Sequence, residues 1–235
     1  MTIDSLVLEL TRRCPLACAH CLRGPSQDKD MSDMTLRTLF GRLYGIGVRH
    51  IYGLTLTGGE PALRIDLIKS LPSLLQRHHM SLEHFYMATS AAYSLRHTKE
   101  LLPALLDLAL CCDGDMEEFG HMVEISQSDY HDNQDGNSIK MLQLLSFAGM
   151  KQRLDDRGII NSGNANINGL GGRPPLPEHL ELEDDELVTG HLYITADGDV
   201  LAGCDYAYED MDDHKLGNIY DKDFSLSQLL QECEA

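Results

Sequence analysis

Leu6-Val7-Leu8-Glu9-Leu10-Thr11-Arg12-Arg13-Cys14-Pro15-Leu16-Ala17-Cys18-Ala19-His20-Cys21 decides how the rest of the chain is read. Leu6 to Leu10 is a short apolar run of the kind that forms a buried strand. It leads directly into a loop that holds three of the seven cysteines. Disulfide frameworks are spaced differently, and a chain of 235 residues has core enough to fold without staples. In a reducing compartment such a tight group of thiols reads as a metal site. Three thiolates hold three irons of a cubane cluster, and the missing fourth cysteine leaves one metal open for chemistry. Zinc bound by the three cysteines and His20 is the competing reading. Against it, His20 and Cys21 are adjacent, whereas zinc ligands usually have two to four residues between them.

Outward from this loop, strands and helices alternate. Ser32 or Asp33 caps a helix through Leu36, Leu39, Phe40, Leu43 and Tyr44, which ends at Gly45 and Gly47. A second strand, Ile51 to Leu56, precedes a helix from about Asp66 to Gln76 that Pro72 should bend. Glu83 to Ala88 reads as a third strand and Lys99 to Ala109 as its helix. Met122 to Ser126 reads as a fourth strand, with a helix from Ser138 to Phe147. Gly158 to Asn161 is taken as a short fifth strand and Leu192 to Ala196 as a sixth. Asp197-Gly198-Asp199 then turns the chain into Val200-Leu201 as a hairpin. Leu226 to Gln231 reads as a closing helix.

Repeated strand–helix units predict an α/β fold with a parallel sheet. Six units are fewer than the eight of a closed barrel, so a partial (βα)6 barrel is expected. Residues 1–190 would form this core and residues 191–235 a short C-terminal cap containing the hairpin. Reactive groups belong at the carboxyl ends of such strands. Cys14, Gly58, Thr89, Ser126 and Asn161 each follow a predicted strand.

Composition narrows the function classes. Hydrophobic residues make up 43% of the chain and the formal net charge is −18. An excess of that size repels polyanions, so no extended nucleic-acid interface is expected. No apolar run reaches the length of a membrane span, and no secretory signal is visible; a cytoplasmic protein is expected. Between Arg173 and Lys215 there is no Lys or Arg. This acidic stretch reads as a solvated face or as a docking face for a basic partner. Cys111 and Cys112 end an apolar helical run and read as small buried hydrophobes.

The loop also resembles the signature of the radical S-adenosylmethionine (SAM) superfamily, Cys-x3-Cys-x2-Cys after the first strand, with His20 in the position usually held by an aromatic residue. Leu56-Thr57-Gly58-Gly59-Glu60-Pro61 is similar to that family's Gly-Gly-Glu motif after the second strand. The resemblance implies a 4Fe–4S cluster on Cys14, Cys18 and Cys21. SAM would chelate the open iron and be cleaved reductively to methionine and a 5′-deoxyadenosyl radical that abstracts hydrogen from a substrate. It also implies an electron donor such as flavodoxin or ferredoxin. SAM contacts would come from His20, Gly58, Gly59 and Glu60, from Thr89 and Ser90, from Ser126 to Asp129, and from Asn161 onward. Each of the last three groups reads equally well as a turn.

Ile194 to Asp199, Cys204 and Leu216 to Ile219 resemble parts of a SPASM or twitch extension, which in many relatives carries an auxiliary cluster. Only Cys233 follows Cys204, so a cluster-free remnant is expected. That resemblance favours a peptide or amino-acid side chain as substrate. A nucleotide or a phage-type hypermodified DNA base is the alternative, and a non-catalytic iron–sulfur or zinc-binding interaction protein is a third reading. His121, Tyr130 and His131 are candidates to face a substrate. No catalytic residue beyond the cofactor contacts is assigned.

Overall fold

The computed structural model describes residues 1–114, 122–127, 129–131, 134–152, 158–176, 178–184, 187–222 and 224–225. His121, Ser128, Asp185, Glu186, Cys233 and the expected helix from Leu226 to Gln231 lie outside them.

Five strands follow one another as parallel neighbours: β1 (Thr2–Thr11), β2 (His50–Gly58), β3 (Ser81–Thr89), β4 (Val123–Gln127) and β5 (Ala148–Gln152). Helices α1 (Asp33–Gly45), α2 (Ile65–Arg77), α3 (Leu95–Ala109) and α4 (Gly136–Leu142) make the crossovers. Side-chain alternation along β1 separates two environments. Leu6, Leu8 and Leu10 join the main core with Leu36, Leu39, Phe40 and Leu43 of α1. Val7 faces the other way, into a smaller cluster with Tyr193, Leu201, Tyr208 and Met211. The Ser32 hydroxyl caps α1 by accepting from the Thr35 N–H at 2.9 Å. A cap contributes about 1 kcal/mol and each buried large apolar side chain about 1.5–3 kcal/mol. Burial therefore holds α1 in place, and the cap sets where it starts.

A sixth parallel strand is present, but it lies on the other side of β1. β7 (Leu187–Ile194) pairs with β1, and β8 (Asp199–Ala202) folds back on β7 as the expected hairpin. The short strands β6 (Glu181–Glu183) and β9 (Gly217–Asn218) flank them, giving the order β5-β4-β3-β2-β1-β7-β8-β9, with β6 on β7. Ile3 and every residue from Leu6 to Thr11 are buried, so β1 is a central strand and needs a neighbour at each edge. Gly198, at φ +84, makes the hairpin turn.

The expected fifth strand is a correction. Gly158 to Asn161 forms no ladder; Ile160 makes one isolated bridge to Arg173. The fifth strand is instead Ala148–Gln152, because α4 stops at Leu142 and the chain turns before Ala148. Leu142, Leu145 and Phe147 are all buried, and the i, i+3 spacing of Leu142 and Leu145 resembles a continuing helix. No helix among the described residues is long and apolar enough to cross a membrane.

Candidate functional site

The cysteine loop leaves β1 at Thr11 and is held against the rest of the sheet by backbone contacts. The Ser26 hydroxyl accepts from the Cys14 N–H at 2.9 Å, and the Cys21 N–H donates to the Cys18 carbonyl at 3.1 Å. Cys14, Cys18 and Cys21 are not disulfide-bonded and are partly exposed. Burial, with the charges of Glu60, Cys21 and Cys18 added to it, pushes the Cys14 thiol up to about 12 against a lowering hydrogen bond from the Leu16 backbone. The three sulfurs therefore share one electrostatic neighbourhood. A metal that binds there must displace the proton from Cys14.

Gly58 and Gly59 explain how β2 meets this loop. Gly58 has φ +133, and a Cβ on it would stand 2.0 Å from the Thr11 carbonyl oxygen. A Cβ on Gly59 would stand 2.3 Å from the Arg13 carbonyl oxygen. The Gly59 N–H donates to Thr11 at 2.7 Å and the Glu60 N–H to Arg13 at 2.9 Å. The two glycines thus allow the end of β2 to lie directly on the backbone that carries Cys14.

The Glu60 side chain is buried and fully engaged. One carboxylate oxygen accepts from the Thr89 hydroxyl (2.7 Å) and the Ala62 N–H (3.3 Å). The other accepts from the Ser90 N–H (2.8 Å) and hydroxyl (2.6 Å). Burial raises the Glu60 carboxyl above its ordinary range, while these four donors pull it down. Three residues expected separately at the site, Glu60, Thr89 and Ser90, are thereby one unit joining the ends of β2 and β3. Gln134 extends it, donating to the carbonyls of Ser90 and Ser126, both at 2.7 Å. Nothing in the sequence marks Gln134, because its partners are backbone atoms of two distant strands.

His20 packs against the loop that follows β4, its ring 4.8 Å from that of Tyr130 and 5.2 Å from that of His131. Asp129 lies in the same loop. Asn161 is placed differently from expectation. It follows no sheet strand; its N–H donates to the Arg173 carbonyl at 2.7 Å, and it leads into the short helix α5 (Gly163–Ile167). That helix lies on the cysteine loop. The Asn164 N–H donates to the Cys21 carbonyl (2.9 Å), the Asn164 amide to the Cys18 carbonyl (3.1 Å), and the Asn168 amide to the Ala19 carbonyl (3.0 Å). Gly163, at φ +53, permits the approach, since a Cβ there would lie 2.3 Å from the Leu22 carbonyl oxygen. These asparagines were not singled out in the sequence, where Asn164 to Asn168 reads as polar loop.

A buried polar network borders the loop on its other side. Glu9 is fully buried and accepts from Arg12 (2.7 Å), from the Tyr193 hydroxyl (2.9 Å) and from the Ala196 N–H (3.1 Å). The Arg12 guanidinium lies 4.7 Å over the Tyr208 ring, and that of Arg23 lies 4.9 Å over Tyr193. The one sequence signal was a lone carboxylate inside an apolar strand. The Tyr208 hydroxyl is buried with no hydrogen-bond partner among the described residues, and Cys21 is among the groups that raise its pKa. A hydroxyl donor left over beside a cluster ligand is what an inorganic sulfur acceptor would satisfy. Three thiols on one loop and this donor fit a 4Fe–4S cluster. Cys111 and Cys112 lie away from it; Cys112 bridges Leu82 near the start of β3, and burial pushes its thiol up to about 12.

A loop of three thiols after the first strand of a parallel α/β sheet, with the Gly-Gly-Glu turn packed on it, defines a radical SAM protein. A family model described as "4Fe-4S single cluster domain" matches residues 7–134, more than half of the chain, and the chain belongs to that family. Among curated proteins it is similar to the PqqA peptide cyclase of Bradyrhizobium diazoefficiens, 30% identical over 110 residues, covering 46% of this chain and 26% of the relative. The PqqA peptide cyclase of Methylobacterium sp. (strain 4-46) is 36% identical over 67 residues, covering 27% of this chain and 17% of that one. The matched stretches thus span about a quarter or less of those relatives' length. Among solved structures the fold is similar to native anSMEcpe with bound AdoMet and Cp18Cys peptide (TM-score 0.59, 14% identity, 97% of this chain and 80% of that chain). It is also similar to BtrN in complex with AdoMet and 2-DOIA (TM-score 0.54, 15% identity, 99% and 88%). At these identities the structural likeness speaks for the fold.

Proposed function

We propose that this chain carries the catalytic centre of a radical SAM enzyme that abstracts hydrogen from a peptide or amino-acid side chain. The observation that carries the reading is the cysteine loop pressed onto Gly58 and Gly59, with three thiols outside any disulfide and an engaged Glu60 beside it. When bound, cluster and SAM supply one-electron cleavage of a carbon–sulfur bond and a hydrogen-abstracting carbon radical. Cys14, Cys18 and Cys21 would hold the cluster. Backbone acceptors of Gly58, Gly59 and Glu60 would receive the SAM ammonium group. The Glu60 carboxylate itself is committed to Thr89 and Ser90, so those two hydroxyls act by positioning the turn. His20, Ser126 and Asp129 border the SAM site from the β4 side, and Asn161 borders it from the segment ahead of α5.

Support for the peptide class comes from the named relatives, PqqA peptide cyclases, and from the anSMEcpe structure, which holds a bound Cp18Cys peptide. The net charge of −18 suits a cationic peptide better than a nucleic acid. A one-electron donor such as flavodoxin or ferredoxin would supply the electron that the bound cluster needs.

Anaerobic reconstitution with iron and sulfide, followed by dithionite and SAM, tests the reading. Four irons per chain and release of 5′-deoxyadenosine are expected, with both lost in Cys18→Ala. Deuterium transferred into 5′-deoxyadenosine from a labelled peptide supports the substrate class; transfer only from a labelled nucleoside replaces it. A cluster that forms without any SAM cleavage overturns the enzyme reading.

A further inference from the structure

Glu178, His191 and Cys204 bring a carboxylate oxygen, an imidazole nitrogen and a sulfur within 4.8 Å of one another. They come from three pieces of chain: the segment ahead of β6, the interior of β7 and the turn after β8. Two glycines in the left-handed region make the convergence possible. Gly203 has φ +87, and a Cβ there would stand 2.9 Å from the Glu178 Cβ. Gly190 has φ +84, and a Cβ there would stand 2.4 Å from the His179 carbonyl oxygen. The Gly203 N–H also donates to the His191 carbonyl at 2.8 Å. Segment 178–179 is therefore pressed onto the hairpin at the point where the three donors meet.

This group is separate from the cysteine loop. His191 is paired with Ser5 on β1, and the loop begins after Thr11, about 20 Å further along the strand. Carboxylate, imidazole and thiolate together are a donor set for zinc-class ions, and nitrogen and sulfur select against magnesium and calcium. Bonds of roughly 2.0–2.3 Å would put neighbouring donors roughly 3.3–3.8 Å apart on a tetrahedron. Closing from the present spacing takes about 1 Å of side-chain motion. His191 Nδ1 already hydrogen-bonds Glu178 Oε2 at 2.5 Å. The field is mixed: Asp4 and Asp205 add negative charge at His191, and Arg23 adds positive charge at Cys204. Arg173 offsets part of Asp205 at 3.7 Å.

We infer that Glu178, His191 and Cys204 bind one zinc-class divalent cation, with solvent completing its sphere, and that the ion clasps segment 178–184 to the β7–β8 hairpin. The inference does not depend on the radical SAM reading.

The test uses the full chain carrying Cys14→Ala, Cys18→Ala and Cys21→Ala, so that the loop takes no metal, titrated with cobalt(II) alone. One equivalent should bind, with visible ligand-field bands and a sulfur-to-metal charge-transfer band, and zinc(II) should displace it. Cys204→Ser should abolish the charge-transfer band and weaken binding about 100-fold or more, beyond the usual loss on changing an outer ligand partner. Cys112→Ser should change neither. Cobalt bound by the folded protein without the sulfur band, or a band that survives Cys204→Ser, overturns the assignment. So that any loss of stability in the loop variant does not decide the outcome, zinc is also counted in the cluster-loaded wild-type chain. One zinc per chain is expected there and none in Glu178→Gln/His191→Ala; no zinc in the wild type overturns the inference. Since the cobalt titration needs no cluster, its outcome is read apart from any failure of SAM cleavage.

Discussion

Gly59→Ala tests whether the Gly-Gly-Glu turn serves the cluster loop through backbone packing. The added methyl would stand 2.3 Å from the Arg13 carbonyl oxygen and 2.9 Å from that of Arg12, where ordinary contact begins at 3.4 Å. Both opposing atoms are backbone, so no side chain can swing away. The loop must retreat by about 1 Å or distort its hydrogen bonds to Gly59 and Glu60, a strain of about 1–3 kcal/mol. Cluster ligands tolerate about 0.2 Å of error, so a shift of that size next to Cys14 should cost more in iron content than in folding. Urea midpoints of the metal-free protein, and iron and acid-labile sulfide per chain after reconstitution, measure the two effects. Gly41→Ala is the control: it lies within α1 with nothing within 4 Å of the new methyl, and it should stabilise by about 0.5–1 kcal/mol. If Gly59→Ala keeps both a full iron complement and the wild-type midpoint, the packing argument is wrong.

Other expectations follow from the same geometry. Glu60→Gln replaces one acceptor oxygen with a donor facing either Ser90 or Thr89 and Ala62. It should cost about 1–3 kcal/mol by urea unfolding, and an unchanged midpoint would show that the four contacts do not hold the two strand ends together. Tyr208→Phe removes a buried hydroxyl with no partner among the described residues, so the metal-free protein should gain about 1 kcal/mol. In the loaded protein the same change should make the cluster's reduction potential more negative in an EPR-monitored titration; an unmoved potential would place the hydroxyl away from the sulfurs. Burial holds the His84 imidazole below its ordinary range. Its folded pKa is thus lower than its unfolded one, so its contribution is present above the unfolded value and is lost as the pH falls. His84→Gln should therefore lose less stability than wild type between about pH 7 and pH 5, and parallel curves would contradict this.

Local spacing was enough to show the cysteine loop, the Gly-Gly-Glu turn, the hairpin at Gly198 and five of the six parallel strands. Each is encoded within a dozen residues, by thiols on one loop, by glycines at a turn or by an apolar run bounded by turn residues. Tertiary structure alone decided which strands became neighbours. β7 lies beside β1 because β1 is buried on both faces and needs a partner at each edge, a requirement no local pattern states. The fifth strand was misplaced because Leu142 and Leu145 keep the i, i+3 spacing of a helix across a helix end and a turn. The partners of Glu60, the burial of Glu9 and the hold of Asn164 on the cysteine loop were equally out of reach. Each depends on partners more than 25 positions away, and a hydrogen bond between distant residues leaves no periodic trace in the chain that makes it.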